Sequence, residues 1–330
     1  MSTYWIIIAG SAAVCFALMA AGKNRFGLKW KTTLWFGALA VPLALLGGRA
    51  MYFLVSLDWV IDRGLPFWRF TEGQFMLYGA AAGGCIAAAI AAKIGKQPVL
   101  SVMDAAALSA VLMIAAERFS EYLIGMGYGV GIEEWFDPYE EWSMIAWENP
   151  EFLYRFPFGM QNYYGTWRFA VNMLEGLWAL ASAAILLGMR KREKGAAASL
   201  LLILYAAGQI VLETMRRDEV LKWSFVQVNQ LLSAVFLLLL LVALWRKVPA
   251  ERRTVKRLLV SGGMLVFLAL VVMLMEFALD QKIAFLFWMR ADLSYLTDIL
   301  CCIGMGLILR PLWAEAFPLI QNGSKEGAAI

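Results

Sequence analysis

An apolar run long enough to cross a lipid bilayer recurs nine times along this chain of 330 residues. The runs lie at roughly 4–22, 33–56, 74–92, 100–124, 167–189, 197–215, 225–245, 258–279 and 293–310. Each meets the length of about 18 residues or more that a helix needs to span a hydrocarbon core about 30 Å thick. In that medium every backbone N–H and C=O must be bonded within the chain, so such runs fold as helices. The sequence therefore predicts an all-α polytopic membrane protein of about nine transmembrane helices. Charged residues make up only 16% of the chain, against about 25% in soluble domains, and the mean hydropathy is +0.67. The first run, "TYWIIIAGSAAVCFALMAAG", has no basic segment before it and no clear small-residue cleavage site after it. It is expected to be a retained span rather than a signal peptide.

The connections alternate in charge. "GKNRFGLKWK", "KIGK", "RKREK", "RKVPAERRTVKR" and the tail after Leu309 hold eighteen of the 29 Lys and Arg residues. The loop containing "EEWFDPYEEWSMIAWENPEFLYR" carries seven acids and one Arg on the other side. Basic loops mark the cytoplasmic side, so the N-terminus is expected outside and the C-terminus inside. The acidic outer-face loop, 126–165, is also rich in Trp and Tyr, side chains that suit the headgroup level. It reads either as a lid lying on the membrane over a site or as a plain solvated connection. Its glycine-rich start, "GMGYGVG", follows no strand and reads as a flexible turn.

The chain has no histidine, and its cysteines (Cys15, Cys85, Cys301 and Cys302) fall in apolar runs without ligand-like spacing. No metal, cofactor or disulfide framework is expected. Gly79 and Gly83, four residues apart in "YGAAAGGCIAAAIAAK", are expected to let helices pack closely. The charges inside the apolar runs are the strongest functional signal, because a buried charge is costly and is retained where it is paired or used. They are Arg49, Asp104, Glu117, Arg118, Glu121, Glu175, Glu213, Arg216, Glu276 and Asp298. In "AAERFSEYL" helical spacing brings Arg118 beside Glu121, and "VLETMRRDE" repeats the pairing with Glu213 and Arg216. Such clusters also serve as polar glue between helices. Arginines on separate helices suit a phosphate, whose oxygens a planar guanidinium meets bidentately.

The order of these segments resembles the prolipoprotein diacylglyceryl transferases of bacterial plasma membranes. "LLGGRAMYFL" is similar to the family's Gly-Gly-Arg-x-x-Tyr, with Arg49 and Tyr52. "TEGQFMLYGAAAGG" resembles its acidic-Gly…His-Gly-Gly, with Tyr78 in the histidine's place. "DAAALSAVLMIAAERFSEYLIG" looks like the stretch from an Asp (Asp104) to the signature Gly-Arg-x-Gly-Asn-Phe, with Glu117 and Glu121 replacing Gly and Asn. "NMLEGLWAL" is similar to a Leu-Glu-Gly containing Glu175, and "LYAAGQIVLETMRRDEVLKWSFVQVNQLLS" to a Glu-x-x-Arg run followed by a helix with Gln230. The family's Arg-x-Pro-x-x-x-Tyr-Glu is not recognised in "YYGTWRFAVN".

The resemblance covers about residues 1–247. It implies a seven-helix transferase-like domain there, followed over 248–330 by a basic cytoplasmic linker, two extra transmembrane helices and a short tail. The activity it implies is transfer of a diacylglyceryl group from phosphatidylglycerol to the lipobox cysteine thiol of precursor lipoproteins. The implied partners are thus phosphatidylglycerol, precursor lipoproteins and membrane lipids, with no nucleic acid. Arg118 and Arg216 are expected to neutralise the leaving phosphate, and Glu121, Tyr78 or Glu213 to take the thiol proton, with Glu121 preferred. Arg49, Tyr52, Asp104, Glu117, Glu175 and Gln230 are expected to bind substrate. Two other readings stay open: a paralogue that binds anionic lipid or modifies another acceptor, and a transporter.

Overall fold

The computed structural model describes residues 2–70, 75–133, 151–162, 164–218, 222–223, 226–280, 282–286 and 289–320. Among them, nine helices are long and apolar enough to cross a membrane. These are α1 (Ser2–Gly22), α2 (Trp30–Val55), α3 (Leu77–Gly95), α4 (Val99–Glu121), α5 (Val171–Gly188), α6 (Ala196–Met215), α7 (Val228–Lys247), α8 (Val255–Leu279) and α9 (Ala291–Ala316). At about 1.5 Å per residue, 18 to 26 residues match the thickness of a bilayer core. Large apolar side chains such as Leu54, Leu187, Leu239, Phe267 and Leu300 point outward, as expected where the solvent is lipid.

The nine elements fall where the apolar runs predicted, with three instructive shifts. The fifth begins at Val171 rather than 167 because Trp167–Phe169 forms strand β2, paired antiparallel with β1 (Gly159–Gln161). The seventh begins at Val228 because Val226–Gln227 pairs with Lys222–Trp223. The ninth runs through Pro311 to Ala316. Leu309, Leu312, Trp313 and Ala316 are buried in the largest apolar cluster, and this packing outweighs the tendency of proline to end a helix.

Helix α6 is the hub, packing against α4, α5, α7 and α9. The largest apolar cluster joins it to α7, α8 and α9. Helices α2 and α3 approach each other backbone to backbone. A Cβ on Gly79 would lie 2.3 Å from the Gly47 carbonyl oxygen, and one on Gly83 would lie 2.0 Å from that of Leu43. The small-residue spacing read from the sequence therefore does mark close packing.

The connections after α2, α4, α6 and α8 share one end of the bundle, termed here the acidic face, and the basic connections share the other. Residues 134–150 and 163 of the 126–165 loop, read from the sequence as a lid or a plain connection, lie outside the described residues.

Candidate active site

The site is built where the acidic-face ends of α4, α5 and α6 meet. Arg118 projects from the last turn of α4, Glu175 from the second turn of α5, and Arg216 follows the last residue of α6. Although 98 positions apart in sequence, the two arginines converge on one oxygen. Glu175 Oε2 lies 2.9 Å from Arg118 Nε and 3.0 Å from Arg216 Nη1. Glu121 also bridges them, with Oε1 accepting from Arg118 Nη1 at 2.7 Å and Oε2 3.6 Å from Arg216 Nη1. Glu117 Oε2 approaches Arg118 Nε at 3.4 Å.

Asp218 completes the cluster. It accepts from Arg216 Nε at 3.0 Å and Nη2 at 2.7 Å, a bidentate pair. Burial opposes the charge on Asp218, but the Arg216 hydrogen bonds and charge, with the Gly127 N–H, hold its carboxyl below the ordinary range. Two guanidiniums thus meet four carboxylates, mostly out of water. Charges this desolvated are tolerable only in such mutual contact.

The pairing is incomplete in a telling way. Glu121 Oε2 and Arg118 Nε have no aligned hydrogen-bond partner among the described residues, despite their close ionic neighbours. Glu121 Oε2, with Arg216 Nη1 at 3.6 Å, is open to a further hydrogen-bond donor.

The remaining predicted residues surround this core at differing distances. Glu213 accepts from Gln209 at 2.8 Å and Asn229 at 3.0 Å. Gln230 ties α7 to α6 through the Ile210 carbonyl and Thr214 hydroxyl. Tyr78 is bonded through its hydroxyl to Ser233 and stacked on Phe236 at 4.9 Å. These contacts fasten Tyr78 to α7.

Arg49 is fully buried and donates to the Phe67 and Pro66 carbonyls, while its guanidinium lies over Phe53 at 4.7 Å. Its fork holds the loop after α2. Tyr52 packs edge-on against Trp59 nearby. Asp104 stands apart from the cluster. It lies near the opposite end of α4 and accepts from the Gly195 and Ala198 N–H groups at 2.6 and 3.0 Å. It thereby caps the start of α6, about 20 Å from Arg118 at the rise of a helix.

The "GMGYGVG" segment is ordered rather than a loose turn. Gly129 bridges to Arg216 and Gly131 to Arg168, both antiparallel. The Gly129 N–H donates to the Phe169 carbonyl at 2.8 Å, and the Arg217 N–H to that of Tyr128 at 2.9 Å. The segment thus ties Arg216, just past the end of α6, to the entry of α5. Gly127 has φ +77°, and an added Cβ would lie 2.6 Å from Asn172 Cβ and 2.7 Å from Glu121 Oε2.

Sequence reasoning missed Asp218, Gly127 and Asn172. One signal was present in the motif already considered. Arg168 and Glu175 stand seven apart in "RFAVNMLE", the spacing of Arg and Glu in Arg-x-Pro-x-x-x-Tyr-Glu, with Ala170 and Leu174 at the Pro and Tyr positions.

Comparison with known proteins identifies relatives of the chain. The family model described as prolipoprotein diacylglyceryl transferase matches residues 1–246. A protein of Symbiobacterium thermophilum named phosphatidylglycerol–prolipoprotein diacylglyceryl transferase is 31% identical over 257 residues, covering 75% of this chain and 90% of that protein. Proteins of the same name from Oceanobacillus iheyensis and Enterococcus faecalis are each 25% identical, covering 76% and 70% of this chain and 87% and 82% of theirs. With α8 and α9 lying beyond the matched region, the chain belongs to the prolipoprotein diacylglyceryl transferase family.

Proposed function

We propose that this protein transfers the diacylglyceryl group of phosphatidylglycerol to the lipobox cysteine thiol of precursor lipoproteins, at the outer face of a bacterial plasma membrane. The convergence of Arg118 and Arg216 on a single oxygen of Glu175 carries the reading. Two rigid forks that share one oxyanion are spaced to share a phosphate. The names of the relatives supply both substrates.

In the reaction the thiol gives its proton to Glu121 Oε2, the oxygen without a hydrogen-bond donor. The thiolate attacks the glyceryl carbon that carries the phosphate ester, forming the C–S bond as the C–O bond breaks. The electron pair leaves with glycerol phosphate, whose second negative charge develops beside Arg118 and Arg216. Preorganised donors at developing charge in a water-poor site provide the main stabilisation. Glu175 and Asp218 hold the guanidiniums in place for that task.

The orientation follows from the basic connections, which assign the acidic face to the outside. A cysteine at exposed Tyr164 is labelled from outside in intact cells, and one at exposed Glu251 only after permeabilisation. The reverse pattern would move the site to the inner leaflet and end the proposal.

The direct test supplies radiolabelled phosphatidylglycerol and a lipobox peptide to the purified protein in nanodiscs. Label on the peptide thiol supports transfer. Tight lipid binding with no label on the peptide would leave a lipid-binding protein without this reaction.

A further inference from the structure

Asn172, in the first turn of α5, is the least explained polar group near the site. Its side chain is fully buried, and neither Oδ1 nor Nδ2 has a hydrogen-bond partner among the described residues. Leaving both amide atoms unpaired away from water is costly. A leucine of similar size would avoid the cost, so the amide points to a ligand. Glu175 stands three residues further along α5, which puts it on the same helix face as Asn172.

The surroundings are built to hold Asn172 rather than to satisfy it. Its backbone N–H donates to the Gly127 carbonyl at 2.8 Å. Gly127 presses on Asn172 Cβ so closely that no side chain is tolerated there. The Gly127 N–H in turn donates to Asp218 Oδ2 at 2.9 Å, and Asp218 grips Arg216. A continuous chain of contacts therefore fixes the backbone and Cβ of Asn172 relative to the guanidinium of Arg216.

We infer that Asn172 recognises the hydroxyl groups of a polyol headgroup, and so sets the preference of the site for phosphatidylglycerol over lipids with apolar headgroups. The inference rests on the phosphate site proposed above. An amide offers a donor and an acceptor side by side, and a hydroxyl both donates and accepts. With the phosphate on the two arginines, a glycerol headgroup carries two hydroxyls within a few bonds of it. A headgroup without hydroxyls leaves the amide as unsatisfied as it is in the free protein. Sites that hydrogen-bond a substrate hydroxyl reject analogues lacking it far more strongly than apolar pockets reject a missing methylene.

Phosphatidylethanol isolates this effect, because it keeps the charge and the diester but has no headgroup hydroxyl. Binding of both lipids to the full chain in nanodiscs is measured by competition against labelled phosphatidylglycerol. The parent is expected to prefer phosphatidylglycerol by about tenfold or more, and Asn172→Leu to bring the ratio to within about twofold by weakening phosphatidylglycerol alone. The thermal midpoint of Asn172→Leu should be unchanged or higher, because no side-chain hydrogen bond is lost. Asn172→Ser, a smaller change with one donor and one acceptor, should retain an intermediate ratio, and it serves as the readout if the leucine variant does not fold.

A parent without preference would overturn the inference, as would a full preference in Asn172→Leu or equal loss of both lipids with a lowered midpoint. A changed KM for the peptide with lipid preference intact would assign the Asn172 amide to the acceptor and also overturn it. The transfer proposal stands or falls separately, on whether label from phosphatidylglycerol reaches the peptide.

Discussion

Helix α4 carries a buried carboxylate near each end, and the two ends do different work. Asp104 spends both oxygens on backbone N–H groups of the α6 start. Glu121 gives one oxygen to Arg118 and leaves the other without a hydrogen-bond donor. Both residues look alike in sequence, each an acid inside an apolar run. A carboxylate whose oxygens are all taken by backbone is architecture, since it satisfies donors that a helix start would otherwise leave bare. One left partly unsatisfied beside guanidiniums has chemistry to spare. The contrast predicts which end of α4 controls rate and which controls stability.

The largest effect is expected at Glu121. Glu121→Gln keeps shape and size but cannot take the thiol proton, and a general base contributes about 10²–10⁴-fold. Transfer should fall by that order in a single-turnover assay while lipid binding persists. Tyr78→Phe, whose hydroxyl serves Ser233, should stay within severalfold of the parent. Parental transfer by Glu121→Gln would assign the base elsewhere and dissolve the contrast.

Next come the arginines. Arg118→Lys and Arg216→Lys keep a cation but lose the fork that matches two oxygens at once. Each should lower kcat by about 10²–10³-fold, the usual loss for one preorganised donor at developing charge. The melting temperature in detergent should change little compared with that fall. A variant that loses stability and activity in proportion would show that the cluster is polar glue.

The opposite end of α4 should respond the other way. Asp104→Ala strips two acceptors from the α6 start and should cost about 1–3 kcal/mol of stability, read from thermal unfolding. Transfer by the protein that remains folded should match the parent within severalfold. A selective loss of kcat at full stability would place Asp104 with the substrate, as the sequence suggested.

The two ends of α4 show where sequence reasoning stops. The nine spans were legible because bilayer thickness sets helix length, and apolar length is a local property. Arg118, Glu121, Glu175 and Arg216 were legible as charges in a costly place. What one sequence cannot rank is how fully each charge is bonded, because the partners are contributed from afar. Gly195 lies 91 residues from Asp104, and Gly127 lies 91 from Asp218. The "GMGYGVG" segment was misread for a similar reason. Its glycines allow close approach to Asn172, Glu121 and the Met215 carbonyl, none of which periodicity reveals. Asp218 was passed over because it lies just beyond the apolar run, where charge is ordinary.

The smallest predicted effect concerns Asp218, and it tests the cluster through pH. Burial works against its charge, but Arg216 and the Gly127 N–H more than offset that, so its pKa in the fold is below its ordinary value. A carboxylate with a depressed folded pKa contributes stability that is fully present above its unfolded pKa, near 3.9, and is lost as pH falls through the folded value. Asp218→Asn removes the charge but keeps an oxygen for Arg216 and an amide of the same shape. The variant should therefore be less stable than the parent by on the order of 1 kcal/mol. That gap should stay level from about pH 5 to pH 8 and close only below about pH 4, where the parent protonates as well. Thermal midpoints of both proteins across that range make the measurement. A gap that opened or closed between pH 5 and pH 8 would mean that Asp218 does not hold Arg216 as a fixed ion pair. In that case another carboxylate of the cluster would govern the orientation of the arginine.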